Sequence, residues 1–259
     1  MIEEYKTLSD LPNDPFEMPP PYWRSSGTIF QITDALENLC IYLKKLLEIL
    51  PNTQALLDNY LDRNPNFEED DEEFMDISEP LYEIESKIKL KCELSVFMAA
   101  IEIEDLLNMI SVFNLKKDVS ESIEKLSPME KLLIISATLT DSPVKDSKPY
   151  DALKKLISWR NAYAHGHCTD RPVKSLRHNH LISPESYPTV PKEIEHMLMQ
   201  LNGYLIVSKY LRTISHNNYT RGVSYHDSEI ENFLKKINKY KFSYNGNGEI
   251  YNLAYKGGA

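Results

Sequence analysis

The sequence predicts an all-α protein, on three observations. Apolar residues recur at alternating three- and four-residue steps over long stretches. Only 8 of the 259 residues are glycine, which suits few tight turns. Helix-starting sequences of the Ser/Asp-x-x-Glu kind precede several of the apolar stretches. The expected architecture is an antiparallel helical bundle with an extended N-terminal arm and a small C-terminal helix plus β-hairpin. The corresponding division is an arm over 1–28, a helical domain over 29–217 and an appendage over 218–259.

Pro12, Pro15 and Pro19-Pro20-Pro21 argue against a helix in the arm, with Tyr22 and Trp23 placed to pin it to the body. From Ile29 to Leu50, the residues Ile32, Leu36, Leu39, Leu43, Leu46 and Leu50 form one stripe, so this is a core helix. Pro51 is expected to break it, with a short helix following over Gln54 to Leu61. Asn64 to Ser78 is acidic and without periodicity, and reads as a solvated loop. A long helix is expected from Glu79 to Phe113, its second half carrying Ala99, Ile103, Leu106, Ile110 and Phe113 on one face.

Asp118-x-x-Glu121 and Ser127-Pro-Met-Glu130 both have the form of capping boxes, the second with proline at the first helical position. The helix after Ser127 runs to about Thr138, and the polar stretch Asp141 to Lys148 connects it to a helix starting at Ser147-Lys-Pro149. His167 to Val190 reads as an irregular loop, long enough to suggest a functional role. Pro191 with Glu193 opens a helix to about Ser215, using Ile194, Met197, Leu198, Leu201, Leu205 and Leu211. Ser228-x-x-Glu231 caps a shorter one ending near Tyr240. Lys241 to Tyr244 and Glu249 to Leu253 flank Asn-Gly-Asn-Gly, a hairpin signal.

The chemistry gathers in Leu153-Lys-Lys-Leu-Ile-Ser-Trp-Arg160-Asn161-Ala-Tyr-Ala-His165-Gly166. Leu153, Leu156, Ile157 and Ala164 give an apolar stripe, and Gly166 is a natural stop. Arg160, Asn161 and His165 fall in the last turns, the second and third on one face. Glu104, flanked by Phe97, Ala100 and Leu107 at helical spacing, is a carboxylate at the rim of the core or one held for a purpose. Glu102 and Glu93 are weaker candidates for the same position. Arg160 either meets a phosphate or pairs with such an acid while Asn161 and His165 close the helix.

Arg-Asn-x-x-x-His-Gly at the end of an apolar helix resembles the signature of HEPN domains, with a looser likeness from about Ile29 to Ser215. The resemblance implies an all-helical domain that works as a dimer, with many members acting as metal-independent ribonucleases of toxins and phage defence. It implies an acidic residue opposite the motif, and Ile101-Glu-Ile-Glu104-Asp-Leu-Leu107 resembles that segment. The implied catalytic set is Arg160, Asn161, His165 and Glu104, without cofactor. The implied partners are RNA, a second copy, and an antitoxin or other defence-system protein. Members silenced by a nucleotidyltransferase carry Tyr two residues after the His. Here His167 stands in that position, so an antitoxin of that type is in doubt. The alternative reading is a non-catalytic helical module that binds a nucleotide, RNA or a partner protein.

Charge and composition narrow these classes. The formal net charge of −10 opposes general nucleic-acid binding. Between Arg160 and His180, however, Arg160, Arg171, Lys174 and Arg177 and four histidines face only Asp170. His167, Arg171, Lys174 and Arg177 are the candidate RNA contacts, unless this is simply a basic solvated loop. His165, His167, Cys168, His178 and His180 lie close together but lack a zinc-type spacing, so no metal site is expected. No phosphate-binding glycine loop is present. Three scattered cysteines, an acidic N-terminus and no membrane-length apolar run lead to the expectation of a cytoplasmic protein.

Overall fold

A computed structural model describes residues 20–65, 71–164, 189–217, 220, 225–244 and 251–257, with side chains from residue 28 onward. Among the described residues there are seven helices and one two-stranded sheet. The helices are α1 (Pro20–Arg63), α2 (Glu72–Asn114), α3 (Lys117–Ile123), α4 (Pro128–Leu139), α5 (Lys148–Ala164), α6 (Val190–Ile214) and α7 (Tyr225–Ile237). Strands β1 (Tyr240–Tyr244) and β2 (Tyr251–Tyr255) pair antiparallel, Tyr240 opposite Tyr255 and Tyr244 opposite Tyr251. The all-α class with a C-terminal hairpin is therefore what the chain adopts.

Helix α1 corrects two expectations. Residues 20–28 belong to it and not to an extended arm; residues 1–19 lie outside the described ones. Pro20 and Pro21 occupy the first turn, where a missing N–H costs nothing, so they start a helix instead of forbidding one. Pro51 sits inside α1 without ending it. An interior proline costs about 3 kcal/mol, but the stripe is buried on both sides of it. Ile32, Leu36, Leu39, Leu43, Leu46 and Leu50 precede it, and Thr53 and Tyr60 follow. At roughly 1.5–3 kcal/mol for each fully buried aliphatic side chain, packing outweighs the break.

Helix α2 begins seven residues before the expected Glu79, so residues 72–78 of the segment read as an acidic loop are helical. Asp71 is the reason. Its carboxylate accepts from Glu73 N at 2.9 Å and Phe74 N at 3.3 Å, and Glu72 and Glu73 in the first turn favour the positive end of the helix. Residues 66–70 lie outside the described ones. The buried stripe of α2 includes Ile88, Cys92, Val96, Ala99, Ile103, Leu106 and Ile110, and α2 packs along α1.

Of the two expected capping boxes, only the Ser127 box forms. Ser127 Oγ accepts from Glu130 N at 3.4 Å and Glu130 Oε2 accepts from Ser127 N at 2.9 Å. Helix α3 starts at Lys117 after Lys116, with no side-chain cap, so Asp118 is inside it. Similarly α7 starts at Tyr225, and Ser228 lies within the helix instead of capping it. Its Asp227 is tied to α6 instead, accepting from Tyr204 Oη at 3.1 Å and Ser208 Oγ at 2.7 Å, with Arg212 Nε at 3.5 Å. Ile230, Leu234 and Ile237 join the same core cluster as α1, α2 and α6.

Helix α6 is anchored at its end by Asn114, the last residue of α2. The Asn114 amide oxygen accepts from Ser215 Oγ at 3.0 Å and from the backbone N–H groups of His216 and Asn217 at 2.8 and 3.0 Å. Tyr251 of β2 donates to Glu85 of α2, which fastens the hairpin to the same long helix. The hairpin residues 245–250 are outside the described ones. Helix α6 lies along α2, and the motif helix α5 packs chiefly on α6 while reaching α2 with its side chains.

Candidate active site

Helix α5 buries Leu153, Leu156, Ile157, Trp159 and Ala162, and leaves Lys154 and Lys155 exposed. Ala164, expected in the apolar stripe, is exposed. The last buried positions of α5 are Trp159 and Ala162 instead. Arg160 and Tyr163, three residues apart, both reach α2.

Arg160 Nη2 donates to Glu104 Oε2 at 3.3 Å. The two side chains are 27% and 34% exposed, which places the pair at the rim of the core, between solvent and interior. The Nε of Arg160 is buried and has no hydrogen-bond acceptor. Around Glu104 the surroundings are polar. Lys131 of α4, 2% exposed, donates from Nζ to Asn108 Oδ1 at 2.7 Å and lies close enough to feel the Glu104 charge. Burial holds the Lys131 ammonium below its ordinary range, and the carboxylates of Glu104, Glu124 and Asp105 oppose that shift. A cavity of about 360 Å³ opens here, lined by Thr28, Ile101, Glu104, Asp105 and Asn108. Arg160, Lys131 and the Glu104 carboxylate therefore come together where α2, α4 and α5 converge, beside a cavity walled by residues of α1 and α2.

Asn161 is exposed on α5 and forms no hydrogen bond to the Arg160–Glu104 pair. His165 and the candidate RNA contacts His167, Arg171, Lys174 and Arg177 lie outside the described residues, as do Cys168, His178 and His180. The long segment from His167 to Val190 is described only at its end, residues 189 and 190. Among the described residues no group of His, Cys, Asp and Glu side chains is arranged to hold a metal ion.

The two weaker acidic candidates separate. Glu102 points away from the motif toward α6 and α7, is 4% exposed, and has an Oε2 without a hydrogen-bond partner. Burial first, then the charge of Asp105, raises its pKa to about 9, with Arg212 pulling the other way. Glu93 instead meets α5, its Oε2 accepting from Tyr163 Oη at 3.2 Å. Glu193 of α6 is raised to about 7 by burial and by the neighbouring Glu93 charge. His196, one turn further along α6, is depressed to about 4 by burial and accepts from Gln200 Nε2 at 3.0 Å as a neutral ring.

Sequence reasoning missed Lys131 and the aromatic group on α5. Trp159 and Tyr163 stack with ring centroids 5.1 Å apart and planes 15° apart, and Phe97 of α2 leans on Tyr163 at 5.7 Å. Their four-residue spacing was available in the sequence. Lys131 carried no such signal, since it follows Glu130 in an ordinary charged pair and its burial comes from packing on α2. Among the described residues no helix is long and apolar enough to cross a membrane. Comparison with protein-family models, with curated proteins and with solved structures found no match to this chain.

Proposed function

We propose that this protein is a metal-independent endoribonuclease of the HEPN type, acting as a homodimer in toxin or anti-phage defence. The observation that carries the reading is the state of Arg160. Glu104 holds its guanidinium by one nitrogen at the rim of the core and leaves it partly open to solvent. Such a group is oriented in advance and retains donors for a phosphate, the arrangement that transition-state charge stabilisation requires.

In the proposed reaction His165 removes the proton of a ribose 2′-hydroxyl. The 2′-oxygen attacks the adjacent phosphorus, the P–O5′ bond breaks, and His165 of the second copy protonates the departing 5′-oxygen. Arg160 binds the non-bridging oxygens as charge builds on them. Asn161, exposed beside it, orients the strand, and His167, Arg171, Lys174 and Arg177 hold flanking phosphates. Products are a 2′,3′-cyclic phosphate and a 5′-hydroxyl.

Incubation with total RNA in EDTA tests this directly. Wild type should cut, and Arg160→Ala and His165→Ala should each lose at least ~10²-fold in rate while remaining folded. Cutting by both variants at the wild-type rate would overturn the proposal. The second reading, a non-catalytic RNA- or partner-binding module, is favoured by the same ion pair taken as structural. In that case Arg160→Ala should lower the melting temperature and wild type should show no cleavage.

A further inference from the structure

We infer that Tyr163 is a stacking platform for a nucleobase of the bound RNA, and that Glu93 beside it selects guanine. The inference rests on the proposed placement of RNA at Arg160, and adds to it a subsite and a base preference.

Three features of Tyr163 carry it. The ring is 45% exposed although its helix neighbours Trp159 and Ala162 are buried. It is held rigidly from below and from the side: Trp159 stacks under it nearly parallel, Phe97 leans on it, and the hydroxyl is tethered to Glu93. An exposed aromatic fixed in this way loses little freedom when a base stacks on it, whereas a free surface tyrosine would have to be ordered first. Third, Tyr163 follows Arg160 on the side of α5 that meets α2, and the two side chains reach Glu93 and Glu104, eleven residues or about 16 Å apart along α2. A strand with a phosphate on Arg160 can therefore lay a base a few nucleotides along on Tyr163. Stacking on an aromatic side chain is how proteins hold unpaired RNA bases.

The choice of base follows from Glu93. Its carboxylate lies at the edge of the platform, and an ionised carboxylate has about four lone-pair positions, of which the Tyr163 hydroxyl uses one. Guanine alone presents two adjacent donors on its Watson–Crick edge, N1–H and N2–H, that a carboxylate can accept together. Adenine and cytosine pair one donor with an acceptor there, and uracil flanks its single donor with two acceptors. Each of these would set an oxygen or nitrogen lone pair against negative charge.

The test uses 2′-O-methyl pentanucleotides, G-, A-, C- or U-centred in a common context, which bind without a nucleophile to be cut. Binding is read by anisotropy on full-length protein and by the emission of Trp159, which lies directly under the platform. The G-centred strand should bind best. Tyr163→Leu should weaken all four strands by about 5- to 100-fold, and Tyr163→Trp should keep affinity, which separates loss of a platform from loss of the fold. Glu93→Gln should remove the preference for G while retaining binding.

Wild-type affinity in Tyr163→Leu, an intact G preference in Glu93→Gln, or no binding of any strand to wild type would each overturn the inference. Because binding is read apart from cleavage, the two proposals fail separately. RNA cut normally by Tyr163→Leu removes the platform and leaves the ribonuclease. Tyr163-dependent binding without cleavage removes the ribonuclease and leaves the platform.

Discussion

Glu102→Gln is the substitution whose effect follows most directly from the structure. Glu102 is 4% exposed, its Oε2 has no hydrogen-bond partner, and its pKa is raised from 4.5 to about 9. A carboxyl with a raised folded pKa retains its proton in the native state while the unfolded chain releases it. The associated stability is fully present below pH 4.5 and is lost as pH rises toward 9. Each pH unit in that window costs about 1.36 kcal/mol. Between pH 5 and 8 the wild type should therefore lose about 4 kcal/mol from this one group, a large part of a typical domain's stability. Glutamine has the same shape and no proton to lose. Urea unfolding at pH 5, 6.5 and 8 measures the difference between variant and wild type, in which Glu193 and His196 cancel. That difference should grow by 3–4 kcal/mol, roughly, in favour of Gln. If it is constant, or shrinks with pH, Glu102 is ionised in the native state and Arg212 compensates its charge, and the reasoning fails.

Three further outcomes are expected. Asp227→Ala leaves Arg212, 15% exposed, without its carboxylate and strips Tyr204 and Ser208 of their acceptor; thermal and urea unfolding should show a loss of about 3–5 kcal/mol. Ser127→Ala removes a complete capping box and should cost about 1 kcal/mol by the same assays, with no change in the urea m-value. His196 is buried neutral with its pKa lowered to about 4, so its contribution is complete above pH 6.5 and lost as pH falls toward 4. His196→Phe, which keeps an aromatic beside Trp159, should flatten that acid limb in a pH series of melting temperatures.

The helices were legible in the sequence wherever one buried face ran without interruption, as in α5, α6 and the stretches Ile29–Leu50 and Ala99–Phe113. Their limits were not, because local rules competed with packing that only the folded chain supplies. Pro51 is locally a breaker, yet α1 continues because Tyr60 beyond it is buried and meets the tilted ring of Phe74 of α2. Ser228 has the form of a cap, yet α7 starts earlier because Asp227 is drawn into the α6 network. At the site, the pairing of Arg160 with Glu104 was one of two readings open from the sequence. Lys131 and the opposed roles of Glu102 and Glu93 were not legible, since which side of α2 faces which neighbour is decided by tertiary contacts.

The long pairing of α1 with α2 carries a consequence for the order in which the molecule assembles. These helices, of 44 and 43 residues, adjoin in sequence, so their contacts close through one short connection and need little loop entropy. The hairpin they make can zip up before the rest of the chain is in place. Helices α5 and α6 then dock onto a finished ridge, and Arg160 and Tyr163 gain their partners on α2 only at that late step. Undocking of α5 would dismantle the site while leaving the two long helices intact. Amides of α5 should accordingly exchange with solvent through a lower-energy opening than those at Leu36 to Leu46 or Val96 to Leu107, which should exchange only on global unfolding.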